Sequence, residues 1–146
     1  MTRSRAFLSR IARDCAGATI IEFAILAPAV IGLMLGVFQI GMAMQSYNAV
    51  RSVTAETARY ATVEYQKGEE PTNATIRTQA IAIADGPPYL LQPDDLTVTV
   101  VDAAVQRVDG AREMTITVSY DVPSVLPLFD WTSPTVTQTR PIFVLE

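Results

Sequence analysis

A run without charged side chains dominates the first third of the sequence. No Asp, Glu, Lys or Arg occurs between Glu22 and Arg51. From Phe23 to Met44, the only strongly polar side chain is Gln39. At about 1.5 Å per residue this stretch makes a helix of roughly 33 Å, which matches a bilayer hydrocarbon core of about 30 Å. The run therefore predicts one membrane-spanning helix, and it leaves Glu22 at its edge to be explained.

The charges on the two sides of this run predict its orientation. The segment before it carries four arginines against one acid, Asp14, whereas the segment after it carries mixed charge. Positive charge is preferentially kept in the cytoplasm. We therefore expect a cytoplasmic N-terminus and an exported C-terminal part. The four arginines are Arg3, Arg5, Arg10 and Arg13.

Three common N-terminal signals explain this pattern incompletely. A secretory signal peptide needs a shorter apolar core, about 7 to 15 residues, followed by a small-residue cleavage site. A lipoprotein signal would place its cysteine after an apolar stretch, whereas Cys15 follows Arg13 and Asp14. An uncleaved signal anchor explains the length and the orientation. It leaves Glu22 and the small residues from Cys15 to Ala18 without a role.

A pilin-type leader gives Glu22 a role. A basic leader ending in Gly17, followed by ATIIEF and an apolar helix, resembles the class III signal of type IV pilin-like proteins. In that family the prepilin peptidase cuts after the glycine, which implies a cut here between Gly17 and Ala18. Glu22 would then pair with the freed ammonium of Ala18 in a neighbouring subunit, which offsets the desolvation cost of both charges. The alternative is an interfacial acid that reaches headgroup water.

The residues around Glu22 narrow the resemblance to one branch. Ala18, rather than Phe or Met, follows Gly17, and Glu22 is followed by the aromatic Phe23. The string GATIIEFAILAPAVIGLMLGVFQIGMAM is similar to the opening segment of TadE-like proteins of the tight-adherence (Tad, or Flp) pilus system. The resemblance implies a minor pilin or pseudopilin.

Three further residues of this string are expected to shape helix packing. Pro28 lacks an N–H donor, and we expect it to bend or loosen the helix, which membrane helices tolerate. Gly32 and Gly36 have the GxxxG spacing that lets another helix approach closely. Glycine is common in membrane helices, so chance is the alternative explanation.

The remaining sequence predicts an α+β head. A stripe that includes Val50, Val53, Thr57 and either Tyr60 or Ala61 extends the long helix beyond the apolar run, until Gly68 to Pro71 end it. Residues 76–84 predict a short helix capped by Thr72 or Asn73. From residue 96 the period changes to two, and residues 96–101, 114–120 and 136–144 predict strands, the first two joined near Asp109-Gly110.

The expected domains are a basic leader (1–17), a transmembrane and stem helix (18–67) and a head (68–146). The fold class is α+β: a long N-terminal helix, then a small antiparallel sheet with one short helix. The aromatic residues Trp131 and Phe129 are interpreted as a plug in the core or at its rim. Asn73 also fits a glycosylation sequon, which a helix cap explains more simply.

The sequence offers little catalytic chemistry. It has no histidine and one cysteine, which excludes imidazole acid–base catalysis and Ser-His or Cys-His nucleophiles. Asp94, Asp95 and Asp102 lack the alternating oxygen ligands of a hard-cation loop and are interpreted as solvated turn acids. No extended basic cluster occurs beyond residue 13. We therefore expect no enzyme activity, no catalytic residue, no cofactor, no metal and no nucleic-acid partner.

The resemblance implies partners and a location. The partners would be the prepilin peptidase, other Tad pilins, inner-membrane assembly proteins and membrane lipid. The protein would cross the bacterial inner membrane once, with its head in the periplasm, and could enter an extracellular pilus. The alternative function is a permanently membrane-anchored periplasmic binding module, which differs in keeping its leader.

Overall fold

A computed structural model describes residues 16–125 and 134–145 of the chain. Helix α1 covers Ala16–Gln66 and helix α2 covers Asn73–Asp85, and a short 3-10 turn follows at Pro93–Asp95. The strands are β1 (Leu96–Asp102), β2 (Ala111–Asp121) and β3 (Thr135–Leu145). This arrangement confirms the predicted α+β fold. Residues 1–15 of the predicted leader, and the predicted plug of Trp131 and Phe129, lie outside the described residues.

The chain divides into two compact units, residues 1–38 and residues 39–146. In the described part of the first unit, α1 exposes large apolar side chains all around its circumference, from Ile20 to Phe38. Within the described residues, one helix is long and apolar enough to cross a membrane, and it begins near the N-terminus. This helix fits a single-pass membrane protein.

The second unit is a three-stranded antiparallel sheet packed against helices. The strand order is β1-β2-β3, and Ile116 of the central strand lies opposite Val100 and Arg140. Val50 and Val53 of α1, Ile76 of α2 and Ile116 belong to one buried apolar cluster. Burying each such side chain stabilises the fold by about 1.5 to 3 kcal/mol.

The helical stripe predicted beyond the apolar run is the buried face of α1. Val50, Val53 and Thr57 are inaccessible to solvent, as the spacing predicted. The next member of the stripe is Ala61, which is also fully buried, whereas Tyr60 is half-buried. The hydroxyl of Thr57 donates to the carbonyl of Val53 at 2.8 Å, which satisfies its only polar atom.

Local sequence signals set the ends of the helices. Gly68 has a φ of +82°, a conformation that favours glycine, and it follows the last residues of α1 as predicted. Thr72 is the N-cap of α2, and its hydroxyl accepts from the N–H of Thr75 at 3.2 Å. The side chain of Asn73 instead donates to Asp102 at 2.9 Å, so it is engaged in tertiary structure.

The outward face of the sheet is rich in hydroxyl groups. Thr117 pairs with Thr139 at 3.1 Å and Ser119 with Thr137 at 2.9 Å across β2 and β3. The opposite face carries Ile116 and Val118, which are fully buried. The alternation with period two is thus the pattern of a sheet with one face on the core and one in solvent.

Candidate assembly segment

The predicted cleavage site lies at the beginning of α1. Gly17 is the second residue of the helix as described, and Ala18 is the third. Gly17 is exposed, and a Cβ added there would meet no heavy atom within 4 Å. The chain itself therefore leaves room for a larger residue at position 17.

Glu22 and Phe23 lie one turn further along α1. Both are exposed, and Phe23 is 71% accessible. The three ion pairs among the described residues join other side chains, so Glu22 has no cationic partner in that part of the chain. An acid at the centre of a membrane helix costs roughly 2.5 to 3.5 kcal/mol on the insertion scale. The described residues therefore supply no compensating charge for Glu22.

The predicted packing residues are open to approach. Helix α1 continues through Pro28 without a break in its assignment. A Cβ at Gly32 or at Gly36 would meet no heavy atom within 4 Å, so this side of the helix is uncovered by the described chain. The structure thus places all the predicted site residues on one helix and brings none of them into a pocket.

Gln39 is a buried polar residue for which the sequence predicted no role. It is only 4% exposed, and its side chain amide donates to the carbonyl of Pro123 at 3.2 Å. Its oxygen accepts from the N–H of Val125 at 2.9 Å. Gln39 therefore ties α1 to the segment that follows β2. One feature of the sequence points to such a role, since Gln39 is the only strongly polar side chain of the apolar run from Phe23 to Met44.

The far end of the head is held together by a polar network around Arg112. Its guanidinium contacts Asp102 at 2.7 Å and Asn73 at 3.2 Å, and it also donates to the hydroxyl of Tyr65. Because these contacts stabilise its charged form, the pKa of Arg112 is raised even though burial lowers it. The network joins α1, the start of α2, β1 and β2, so it serves the fold.

A second ion pair covers the outward face of the sheet. Arg107 donates from Nε to both carboxylate oxygens of Glu113 at 2.9 Å, and its guanidinium lies 5.2 Å from the centre of the Phe143 ring. The hydrogen bonds from Arg107 hold the pKa of Glu113 below its ordinary value.

The acids interpreted as turn residues do not form a cluster that could hold a metal. Asp102 is bound by Arg112, and among residues 16–125 and 134–145 no three His, Cys, Asp or Glu side chains are grouped as metal ligands.

Comparison with protein families identifies the segment that carries these residues. The family model described as TadE-like protein matches residues 17–59. Residues 17–59 of this chain are TadE-like. The TadE-like segment begins at Gly17 and contains Glu22, Pro28 and both glycines of the GxxxG spacing, so the predicted resemblance is confirmed. No curated protein and no solved structure gives a significant match.

The TadE-like match covers less than a third of the chain. The family suggests a pilin-like protein associated with the Tad pilus system. The match ends at Arg59, before α1 ends and before the whole sheet of the head. The pilin-like character therefore belongs to the apolar helix and the first turns of the stem.

Proposed function

We propose that this protein is a minor pilin or pseudopilin that acts in the assembly of a Tad (Flp) pilus for surface adherence. In this proposal the prepilin peptidase removes the leader between Gly17 and Ala18, and the protein has no catalytic role. The N-terminus is cytoplasmic and the head is periplasmic. The single observation that carries the proposal is an exposed Glu22, within the apolar TadE-like helix, that has no cationic partner in residues 16–125 and 134–145.

The position of Gln39 gives this proposal a membrane register. Because Gln39 is bound to the head, the hydrocarbon-spanning part of α1 is best assigned to the residues before it. Residues 19–38 extend over roughly 30 Å at about 1.5 Å each, which is the thickness of the hydrocarbon core. Glu22 then lies about one turn inside the hydrocarbon, where an unpaired carboxylate is costly.

A neighbouring subunit supplies the missing partner in the proposed mechanism. Cleavage after Gly17 creates an ammonium group at Ala18, at the same end of the helix as Glu22. When two subunits associate with their helices side by side, the ammonium of one meets the carboxylate of the other. Each charge alone is expensive in a medium of low dielectric constant, and pairing offsets much of that cost, so association is favoured in the register that brings the two charges together. Gly32 and Gly36, where an added Cβ would meet no heavy atom within 4 Å, allow the two helices to approach.

The test separates cleavage from assembly. Glu22→Gln keeps the size of the side chain but removes its charge, so the ammonium of the neighbour loses its counter-ion. Removing one member of a buried pair typically costs about 3 to 5 kcal/mol. We expect the variant to be cleaved after Gly17, as measured by mass spectrometry of the N-terminus. It should fail to co-purify with other pilus subunits.

The matched control is Glu70→Gln, which makes the same change at an exposed position of the head. It should be cleaved and should co-purify like the parent. Normal assembly of Glu22→Gln would refute the pairing mechanism, and loss of cleavage would assign Glu22 to recognition by the peptidase. A parent protein that keeps Met1 or Thr2 as its N-terminus in the membrane would instead support the permanently anchored binding module.

A further inference from the structure

The first turns of α1 within the second unit, from Gln39 onward, line a groove at the surface. A second groove lies further along α1. The first groove has a volume of about 680 Å³ and includes Ile40, Met44 and Tyr47 in its lining. The second groove has a volume of about 310 Å³ and shares no lining residue with the first. Glu56 and Arg59 of α1 are among its lining residues. The charged residues thus begin only in the part of α1 beyond Val50.

The groove that reaches the loop after α2 is smaller and equally free of charge. It has a volume of about 190 Å³, and its lining includes Met42, Ser46, Leu90 and Pro123. Neither this groove nor the one beside Ile40 has an Asp, Glu, Lys or Arg side chain among its described lining residues. The two grooves share no lining residue, and we call their exposed apolar side chains Ile40, Met44, Tyr47 and Leu90 together the collar.

Leu90 is the most exposed member of the collar. Its side chain is 69% accessible, and its φ of +50° is rarely adopted by residues other than glycine, asparagine and aspartate. The turn is fixed by hydrogen bonds from the N–H groups of Leu90 to Gly86 at 3.1 Å and of Leu91 to Ala84 at 2.9 Å. The strained turn thus holds a large apolar side chain away from the core, which favours a partner outside the described chain.

The length of the uncharged run indicates which partner covers the collar. From Phe23 to Val50 the helix measures roughly 42 Å, whereas the hydrocarbon core is about 30 Å and the bilayer with its headgroup regions is about 40 to 45 Å. The excess lies on the side of the head, because Gln39 is already bound there. Uncharged surfaces with tyrosine are typical of the membrane–water interface.

We propose that the collar is embedded in the headgroup layer of the bilayer, so that lipid covers Ile40, Met44, Tyr47 and Leu90. This inference rests on the proposed membrane span. Leu90 shares its groove with Met42 and Ser46, which follow Gln39 by about 5 to 10 Å along the helix axis. Met42 therefore falls within a headgroup layer of about 5 to 8 Å, and Ser46 lies just outside it.

The test places an environment-sensitive fluorophore on Leu90, because this residue is outside the membrane helix. Cys15→Ser removes the sole cysteine, and Leu90→Cys then carries the label on the full chain. The matched control is Val105→Cys, which is 77% exposed and lies in the loop between β1 and β2. Strand β2 has 11 residues and separates that loop from Pro123 by roughly 35 Å.

Both labelled proteins are reconstituted in vesicles of phosphatidylethanolamine and phosphatidylglycerol with a nitroxide-labelled lipid. We expect the label at position 90 to be blue-shifted and quenched by the nitroxide, and the label at position 105 to be neither. Met44→Cys repeats the measurement if the turn at Leu90 does not tolerate the label.

Each of the other results refutes the burial of the collar in the headgroup layer, and one of them also refutes the membrane span. A water-like label at positions 90 and 44, in protein that resists extraction by carbonate, refutes the collar but leaves the membrane span. Release of the protein by carbonate refutes the span and the collar together. A blue-shifted label that lipid nitroxide does not quench, and that becomes water-like on dilution with excess lipid, assigns the collar to a second copy of the chain.

Discussion

Gln39 offers a direct test of how α1 is held to the segment after β2 within the second unit. Gln39→Leu would increase the apolar character of the run, so hydropathy alone predicts no loss of stability. In the structure, however, the change removes the acceptor for the N–H of Val125 and the donor for the carbonyl of Pro123. Leaving a buried backbone group unsatisfied costs about 1 to 3 kcal/mol. Because both groups are only partly buried, we expect a total loss of about 2 to 3 kcal/mol.

The measurement is guanidinium unfolding of the full chain in detergent micelles, followed by circular dichroism. The loss should appear as a lower midpoint with an unchanged slope, since the same surface is exposed on unfolding. Gln45→Leu is the matched control, because it makes the same substitution at an exposed position of the same helix. Its effect should stay within about 0.5 kcal/mol. Equal midpoints for the two variants would refute the anchoring role of Gln39.

Three further predictions concern packing, topology and pH. Gly36→Leu should leave the unfolding midpoint unchanged, because a Cβ there meets no heavy atom of the described chain within 4 Å. It should reduce co-purification with pilus subunits, because the larger side chain keeps a second helix away. Ala27→Leu, on the opposite side of the helix, should reduce co-purification less. A periplasm-dependent reporter fused after Glu146 should be active, and an active cytoplasmic reporter would reverse the proposed orientation. Arg107 lowers the pKa of Glu113, so their ion pair stabilises the fold above the unfolded pKa of about 4.3 and is lost as the pH falls through the lower folded value. Glu113→Gln should therefore flatten the decline of the melting temperature between about pH 5 and pH 2, and an unchanged decline would contradict this assignment.

Local patterns were sufficient for the elements of the fold. The strands extend one to three residues beyond their predicted ends, and Thr72 and Gly68 mark the helix ends as expected. These features depend on neighbours in sequence: a cap bonds to the next turn, and a strand shows its period over a few residues. The choice of Ala61 over Tyr60 as the buried residue needed the packed structure.

The TadE-like segment was also recognisable from sequence, because Gly17, Glu22 and Phe23 lie close together in the chain. What the segment does in contact with other molecules is a separate matter, and the pairing of Glu22 is a proposal that depends on a second subunit. The structure adds that Glu22, Gly32 and Gly36 are uncovered by the described part of their own chain.

The sequence by itself determined a charge-free helix, its first residues and an alternating sheet, since composition and period are properties of consecutive residues. The tertiary structure decided where the head begins on that helix. Gln39 is separated from Pro123 by 84 positions, and Leu90 lies beside Met42 only after α2 has folded back. By hydropathy alone, the run from Phe23 to Met44 is one uniform apolar segment. Hydrogen bonds between residues distant in sequence divide it at Gln39, because a buried amide must find its partners wherever the fold brings them.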